Sequence, residues 1–346
     1  MPTLVIQTAF LGDVVLTTAL LSALADQHGP LDVVTTPIAA PLLETHPAVR
    51  QVIPYDKRGA QRSWAGLQAM VRRLKSERYE RVYLPHRSLR SATLALLARI
   101  PARIGFKGSW SFLYTEARPK PRTGHEADRL LALADEASGV YRPQLRPTPE
   151  DEQRITQMLA DFDLDSSLAF VALAPGSIWG SKRWPYFVEL AASLTRRIAV
   201  IAVGSSDDVE LGDAIVRSVR PLRSAEGRLL PGHPAINVCG ALTLRQSAAL
   251  IGKAVLLVTN DSAPLHLATA MGTPVVALFG PTVTEFGFGP LRAGDMALGV
   301  NGLLCRPCSS HGPPQCPLGH HRCMRDLTVE AVLTAIEELG ALRPRR

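Results

Sequence analysis

The sequence predicts an α/β protein of two doubly wound, parallel-sheet lobes, and three observations predict it. Short β-branched runs alternate with helix-length segments almost from the first residue, the signature of successive βαβ units. The strand candidates are near-continuous apolar runs rather than alternating ones, so helices must cover both faces of each sheet. The 346 residues are too many for one ordinary core and suit two of roughly 150 each.

In the first lobe Leu4–Gln7, Asp32–Thr35, Gln51–Pro54, Arg81–Leu84 and Arg103–Phe106 read as buried strands. Val14–Gln27, Trp64–Ser76 and Ser91–Ala98 carry helical patterning. The alternation pauses at VYRPQLRPTPEDEQRI, where Pro143, Pro147 and Pro149 sit among charges and a new helix starts near Pro149. A linker here divides the chain into domains 1–148 and 149–346. In the second lobe Phe170–Ala174, Ile198–Val203, Ala235–Val238, Val255–Thr259 and Val275–Phe279 read as strands. Pro185–Arg196, Val209–Val219 and Leu265–Met271 read as helices, and a cysteine-rich loop, residues 305–323, precedes a closing helix. Sheets of this kind bind ligands outside the carboxyl ends of their strands, so two facing lobes predict a central cleft lined by those loops.

Composition narrows the partners. Hydrophobic residues are 46 % and charged residues 20 %, with no low-complexity run, which describes compact domains rather than tails. The net charge of +7 favours an acidic partner: a nucleotide, a phosphorylated lipid surface or nucleic acid. Aromatics are 5 % and do not interleave with the basic residues, and no zinc-finger or RNP1-like string occurs, so nucleic acid is disfavoured. The opening MPTLVIQTAFLGD has no basic n-region, and no apolar run approaches the roughly 18 residues that span a bilayer. A cytoplasmic location with five reduced cysteines is the expectation.

The loops after the strands carry the chemistry. Gly12-Asp13 lies between the first strand and the first helix, where the carboxylate reads either as a helix cap or as a functional acid. The dinucleotide fingerprint G-x-G-x-x-G is absent, and FGFGP at 286–290 lacks the third glycine, which disfavours a nicotinamide enzyme. In LAPGSIWGSKRWP, Gly176, Ser177, Gly180 and Ser181 offer amides and hydroxyls and Lys182 a point charge, so the loop either holds phosphate oxygens or is simply solvated. It is not a Walker A motif.

LLVTNDSAPLHLATAMGTPVVALFGPT, residues 256–282, runs from a strand through the capping residues Asn260-Asp261-Ser262 into a helix that carries His266 about one turn in. His266 reads as a packing residue or, beside a capping aspartate, as a ligand contact. In AVGSSDDVELGDAI an acid, Asp208 or Glu210, either meets a nucleoside or lines the first turn of a helix. Cys305, Cys308, Cys316 and Cys323 form C-x2-C-x7-C-x6-C, which reads as a structural zinc site or as reduced thiols packing a proline-rich loop.

FLGDVVLTTAL, APGSIWGSKRWP, TNDSAPLHLATAMGTPVVALFGPT and the cysteine-rich loop together resemble the lipopolysaccharide heptosyltransferases, glycosyltransferase family 9, over nearly the whole chain. The K-R-W-P string and the cysteine loop resemble the heptosyltransferase II branch. The resemblance implies a GT-B fold with an N-terminal acceptor domain and a C-terminal donor domain. It implies an inverting enzyme that moves L-glycero-D-manno-heptose from ADP-heptose to the inner core of lipopolysaccharide, with no cofactor required for chemistry. It also implies peripheral contact with the cytoplasmic face of the inner membrane, to which Arg343, Arg345 and Arg346 would contribute.

Carried over by residue, Asp13 matches the general base, with Gly12 before it. Lys182 and Ser177 match the donor-phosphate loop, and Asp261, Ser262 and His266 the D-[ST]-x-x-x-H element. Glu210 is the better match to the nucleoside acid, with Asp208 competing. Ala263-Pro264 departs from the glycine common after D-[ST] and removes one N–H donor. A helix N-terminus should depress the pKa of Asp13 and make it a weak base, so proton transfer would come late. Two rival readings remain on the same fold: a sugar-nucleotide 2-epimerase and a non-catalytic nucleotide-sugar binding protein.

Overall fold

The computed structural model describes residues 2–135, 139–164, 169–219, 222–223, 229–230 and 232–340; Arg343, Arg345 and Arg346 lie outside them. The chain divides into two compact units, Met1–Arg146 and Pro147–Arg346. The sequence placed this division two residues later, because Thr148 caps a helix and Pro149 opens it.

The first unit is a six-stranded sheet with every strand pair parallel. Its strands are β1 (Thr3–Gln7), β2 (Leu31–Thr35), β3 (Val49–Pro54), β4 (Arg81–Leu84), β5 (Ala102–Phe106) and β6 (Glu116–Arg118), in the order 3-2-1-4-5-6. Its helices are α1 (Leu11–His28), α2 (Ala40–Leu43), α3 (Trp64–Ser76), α4 (Leu89–Leu97) and α5 (Glu126–Leu130). β1 and β2 are buried at every position, as their largely apolar runs require. One charge enters that core. Asp32 is fully buried, accepts two hydrogen bonds from Arg50 at 2.8 and 2.6 Å and one from the Tyr79 hydroxyl at 2.5 Å, and so ties β2 to β3 and to the chain just after α3.

The second unit repeats the plan. It begins with α6 (Pro149–Asp161), and its strands are β7 (Phe170–Ala174), β8 (Ala199–Ala202), a small antiparallel pair β9 (Leu222–Arg223) and β10 (Leu229–Leu230), β11 (Ala235–Asn237), β12 (Leu256–Asn260), β13 (Val275–Leu278) and β14 (Met296–Leu298). The main sheet runs β11-β8-β7-β12-β13-β14, all parallel, the same order as the first. The other helices are α7 (Phe187–Leu194), α8 (Val209–Ser218), α9 (Leu244–Lys253), α10 (Ala263–Met271), α11 (Arg322–Arg325) and α12 (Val329–Glu338). In both sheets the order reverses beside the central strand, between β1 and β4 and between β7 and β12, and a crevice opens at such a switch point. No helix among the described residues is long and apolar enough to cross a membrane.

Candidate functional site

In the second unit the chain leaves β7 and β12, the strands flanking the switch point, straight into the two donor-loop candidates. Gly180–Lys182 forms a single 3-10 turn that carries Lys182 inward, where its Nζ donates to Asp261 Oδ2 at 2.6 Å. The Thr282 hydroxyl, from the loop after β13, donates to the same oxygen at 2.6 Å. Both charged side chains are 9 % exposed, so this is a buried, hydrogen-bonded ion pair. Asn260, fully buried, fastens the two loops together. Its amide nitrogen donates to the Pro175 and Gly176 carbonyls at 2.9 and 3.3 Å, and its oxygen accepts from the Trp184 N–H at 3.0 Å.

The sequence placed the phosphate loop at the start of a helix opened by Pro185; α7 instead begins at Phe187. Trp184 turns into the core between the two and donates its indole N–H to the Leu327 carbonyl, so no helix start lies next to Lys182 on that side. The helix start beside the ion pair is that of α10, where Ser262 is the N-cap and Pro264 stands in the first turn. His266 is buried in the same helix, its ring edge-on to Phe288 with centroids 6.2 Å apart. Ser177 is buried, and its hydroxyl accepts from the Trp179 N–H.

The two acids offered for the nucleoside, Asp208 and Glu210, differ in their surroundings. The Asp208 carboxylate accepts from the Ser205 N–H and hydroxyl at 2.9 and 2.8 Å in a capping box, and it packs so closely on Gly176 that a Cβ there would lie 2.1 Å from it. Glu210 stands exposed in the first turn of α8.

In the first unit Asp13 is not the cap. The helix starts three residues before the expected Val14, with Phe10 at the N-cap position without a side-chain capping hydrogen bond, and Gly12, Val14, Val15 and Leu16 are buried in its first turns. Gly12 is buried in that first turn with Asp13 beside it. The predicted depression of the Asp13 pKa is also overturned. Burial, followed by repulsion from Glu126, pushes its carboxyl up to about 6, against the opposing pull of Lys120 and of backbone N–H groups. Glu126 opens α5, which packs on α1, and it is paired with Lys120 and, at 3.3 Å, with Arg129.

Sequence reasoning missed a second polar group at this switch point. Lys57 Nζ donates to Thr8 Oγ1 at 2.9 Å, and His86, just after β4, stands 3.4 Å from the same hydroxyl. Burial and the neighbouring Lys57 push the His86 pKa down to about 4, so the imidazole is neutral at pH 7. The only signal in the sequence was position, since each residue stands a few places beyond a strand's carboxyl end.

The zinc expectation is not supported. Among the described residues no group of three or more His, Cys, Asp and Glu side chains could hold a metal ion. Cys308 Sγ donates to the Cys305 carbonyl, Cys316 Sγ accepts from the His321 N–H, and Cys323 is buried in the core. Burial and the neighbouring sulfurs of Cys308, Cys316 and Cys305 push the Cys323 thiol up to about 11.

Comparison with known proteins agrees with this architecture. Residues 67–317 match the model for glycosyltransferase family 9 (heptosyltransferase). The chain is 28 % identical to lipopolysaccharide heptosyltransferase 2 of Salmonella typhimurium, over 99 % of this chain and 98 % of that one. The structure of the glycosyl transferase family 9 protein from Veillonella parvula superposes with a TM-score of 0.83 at 23 % identity, over 98 % and 96 % of the two chains. The E. coli ADP-heptose LPS heptosyltransferase II superposes with a TM-score of 0.76 at 26 % identity, over 98 % of each. These comparisons do not favour the epimerase and binding-protein readings. Two Rossmann-like sheets of identical order, with the family match across most of both, make this chain a member of glycosyltransferase family 9, the heptosyltransferase family of GT-B glycosyltransferases.

Proposed function

We propose that the protein transfers L-glycero-D-manno-heptose from ADP-heptose to the inner core of lipopolysaccharide, with inversion at the anomeric carbon and Asp13 as general base. The observation that carries the donor half is the buried Lys182–Asp261–Thr282 cluster at the carboxyl ends of the second sheet. Asp261 and Thr282 hold the Lys182 ammonium in one place, so that it meets the departing diphosphate without reorganising. Ser177 and Ser262 line the same loops, His266 stands behind them, and Glu210 is the exposed acid that meets the nucleoside.

In the reaction an acceptor hydroxyl oxygen bonds to the anomeric carbon as the carbon–oxygen bond to ADP breaks. ADP leaves with the bonding pair, and the hydroxyl proton passes to Asp13. A carboxylate whose conjugate acid has a pKa of about 6 is a stronger base than the sequence implied, so proton transfer need not wait for the hydroxyl to become strongly acidic. Lys57 supplies positive charge near Asp13's strand end for the phosphorylated acceptor. That acceptor is lipid-borne, which places the work at the cytoplasmic face of the inner membrane, and the +7 charge suits an anionic surface.

The test is transfer from ADP-heptose to a heptose/Kdo-lipid A acceptor, with the product anomer read by NMR. Heptosylated product of inverted configuration is expected. Turnover of the sugar nucleotide without acceptor, or no thermal stabilisation by ADP-heptose where UDP- or GDP-hexoses stabilise, overturns the reading.

A further inference from the structure

The contacts of the cysteine-rich segment, residues 305–323, converge on a single residue. Ser181 precedes Lys182, and all three of its polar groups are bound by residues of that segment. Its N–H donates to the Pro314 carbonyl at 3.2 Å, its hydroxyl donates to the Pro313 carbonyl, and its own carbonyl accepts from His321 Nε2 at 2.7 Å. A carbonyl only accepts, so His321 carries its proton on Nε2 in this contact. His321 is fixed in turn, with a left-handed backbone at φ 51° and its N–H bonded to Cys316 Sγ at 3.4 Å.

The same segment grips the far side of the ion pair. Arg306 donates to the Thr282 carbonyl from Nε at 3.2 Å and from a terminal nitrogen at 3.0 Å, and the Cys308 N–H donates to the Pro281 carbonyl at 2.8 Å. Between these anchors Gly312, at φ 79°, lies so close to Lys182 that a Cβ would stand 3.2 Å from the lysine Cε.

From these contacts we infer that residues 305–323 form a positioning strap for the donor lysine, with His321 and Arg306 as positioning residues that hold the Ser181–Lys182 and Pro281–Thr282 loops at a fixed separation around Asp261. A lysine stem has four rotatable bonds, and the strap removes that freedom by fixing both the backbone beneath it and the groove beside it. Consecutive prolines suit the task, since their restricted φ points two successive carbonyls at one residue. The thiols pack and hydrogen-bond within the strap. The inference rests on the donor role proposed for Lys182, but the geometry of the strap can be tested apart from it.

The experiment compares wild type, His321→Ala, His321→Gln and Ser181→Ala by amide hydrogen exchange over residues 177–184 and by steady-state kinetics. Glutamine places an N–H donor where the His321 Nε2 stands, so it tests the hydrogen bond rather than the ring. His321→Ala is expected to speed exchange in this segment at least about tenfold and to raise the donor KM about tenfold with a smaller change in kcat. His321→Gln is expected to restore both to within about threefold, and Ser181→Ala to shift both in the direction of His321→Ala by less. Unchanged exchange in a folded His321→Ala protein overturns the strap, as does a glutamine variant no better than alanine. Should His321→Ala not fold, unchanged exchange and donor KM in Ser181→Ala overturn it. Faster exchange with an unchanged donor KM keeps the strap and overturns the donor role of Lys182.

Discussion

Lys182 and Asp261 form a buried ion pair, 2.6 Å from Nζ to Oδ2, contributed by the loops after two adjacent parallel strands, β7 and β12. The lysine that the sequence offers as a loose point charge is therefore already engaged. Asp261 partly neutralises the lysine, and in the donor role proposed for Lys182 the pair holds the ammonium fixed for the departing diphosphate.

Breaking that pair from its two sides should give unequal results. Lys182→Ala leaves Asp261 buried without its cation, with Thr282 as a remaining donor, and is expected to lower stability by about 3 kcal/mol and to reduce kcat/KM for ADP-heptose at least ~10²-fold. Asp261→Asn keeps a hydrogen-bond acceptor and frees the lysine, so a milder stability loss and a donor KM raised about tenfold are expected. Thermal unfolding of the second unit and initial rates at varied donor check both.

As the proposed base Asp13 must be ionised to take a proton, so its raised pKa is expected to set the acid limb of the rate profile. kcat/KM is expected to climb about tenfold per pH unit up to about pH 6 and then level, where an ordinary aspartate would have levelled two units lower. Asp13→Asn is expected to retain donor binding and to lower transfer at least ~10²-fold.

The same shift has a consequence for stability. The native pKa of Asp13, about 6, lies above its unfolded value of 3.8, so between those pH values the folded chain holds a proton that the unfolded chain has released. This contribution is fully present below pH 3.8 and is lost as pH rises through about 6. Asp13→Asn should therefore stabilise the first unit at pH 7 to 8, by on the order of 1 kcal/mol, while inactivating the enzyme. Equal melting temperatures for wild type and variant across pH 5 to 8 would remove burial as the cause of the shift.

Glu126 raises the Asp13 pKa by repulsion. Glu126→Gln should move the acid limb toward lower pH by up to about one unit, the direction fixed by removal of a negative neighbour and by release of Lys120 from its pair. A limb that stays in place, or moves up, would assign the whole shift to burial.

The nucleoside acid can be identified by contrast. Glu210→Gln should raise the donor KM about tenfold with little change in melting temperature, because Glu210 is exposed on the first turn of α8. Asp208→Asn should lower the melting temperature through loss of its capping box, at a cost of about 1 kcal/mol.

The two sheets are legible in the sequence because parallel strands buried on both faces leave unbroken apolar runs. β6 and β14 escape notice because EAR and MAL are three residues long and carry no such run. The segments after β1, β7 and β12 can be read from capping and glycine chemistry, which places Asp13, Lys182 and Asp261 just beyond the strands they follow. What those side chains then meet depends on tertiary neighbours. Nothing near Asp13 in the sequence announces Glu126, and nothing near Lys182 announces that its charge is shared with Asp261. The cysteine spacing leaves a ligand set and a packed loop both open, and nothing in it announces that the loop's partner, Ser181, lies far up the chain.

Ser181 and His321 are 140 residues apart, and this separation sets when the donor loop can mature. During synthesis the second sheet's first strand emerges well before the segment that will grip its loop. Closing so long a span delays that contact until the sheet has assembled. A nascent chain stalled before residue 305 would hold β7, β12 and both members of the ion pair, yet its donor loop would lack every anchor the strap provides. ADP-heptose affinity should thus be the last property the folding protein acquires.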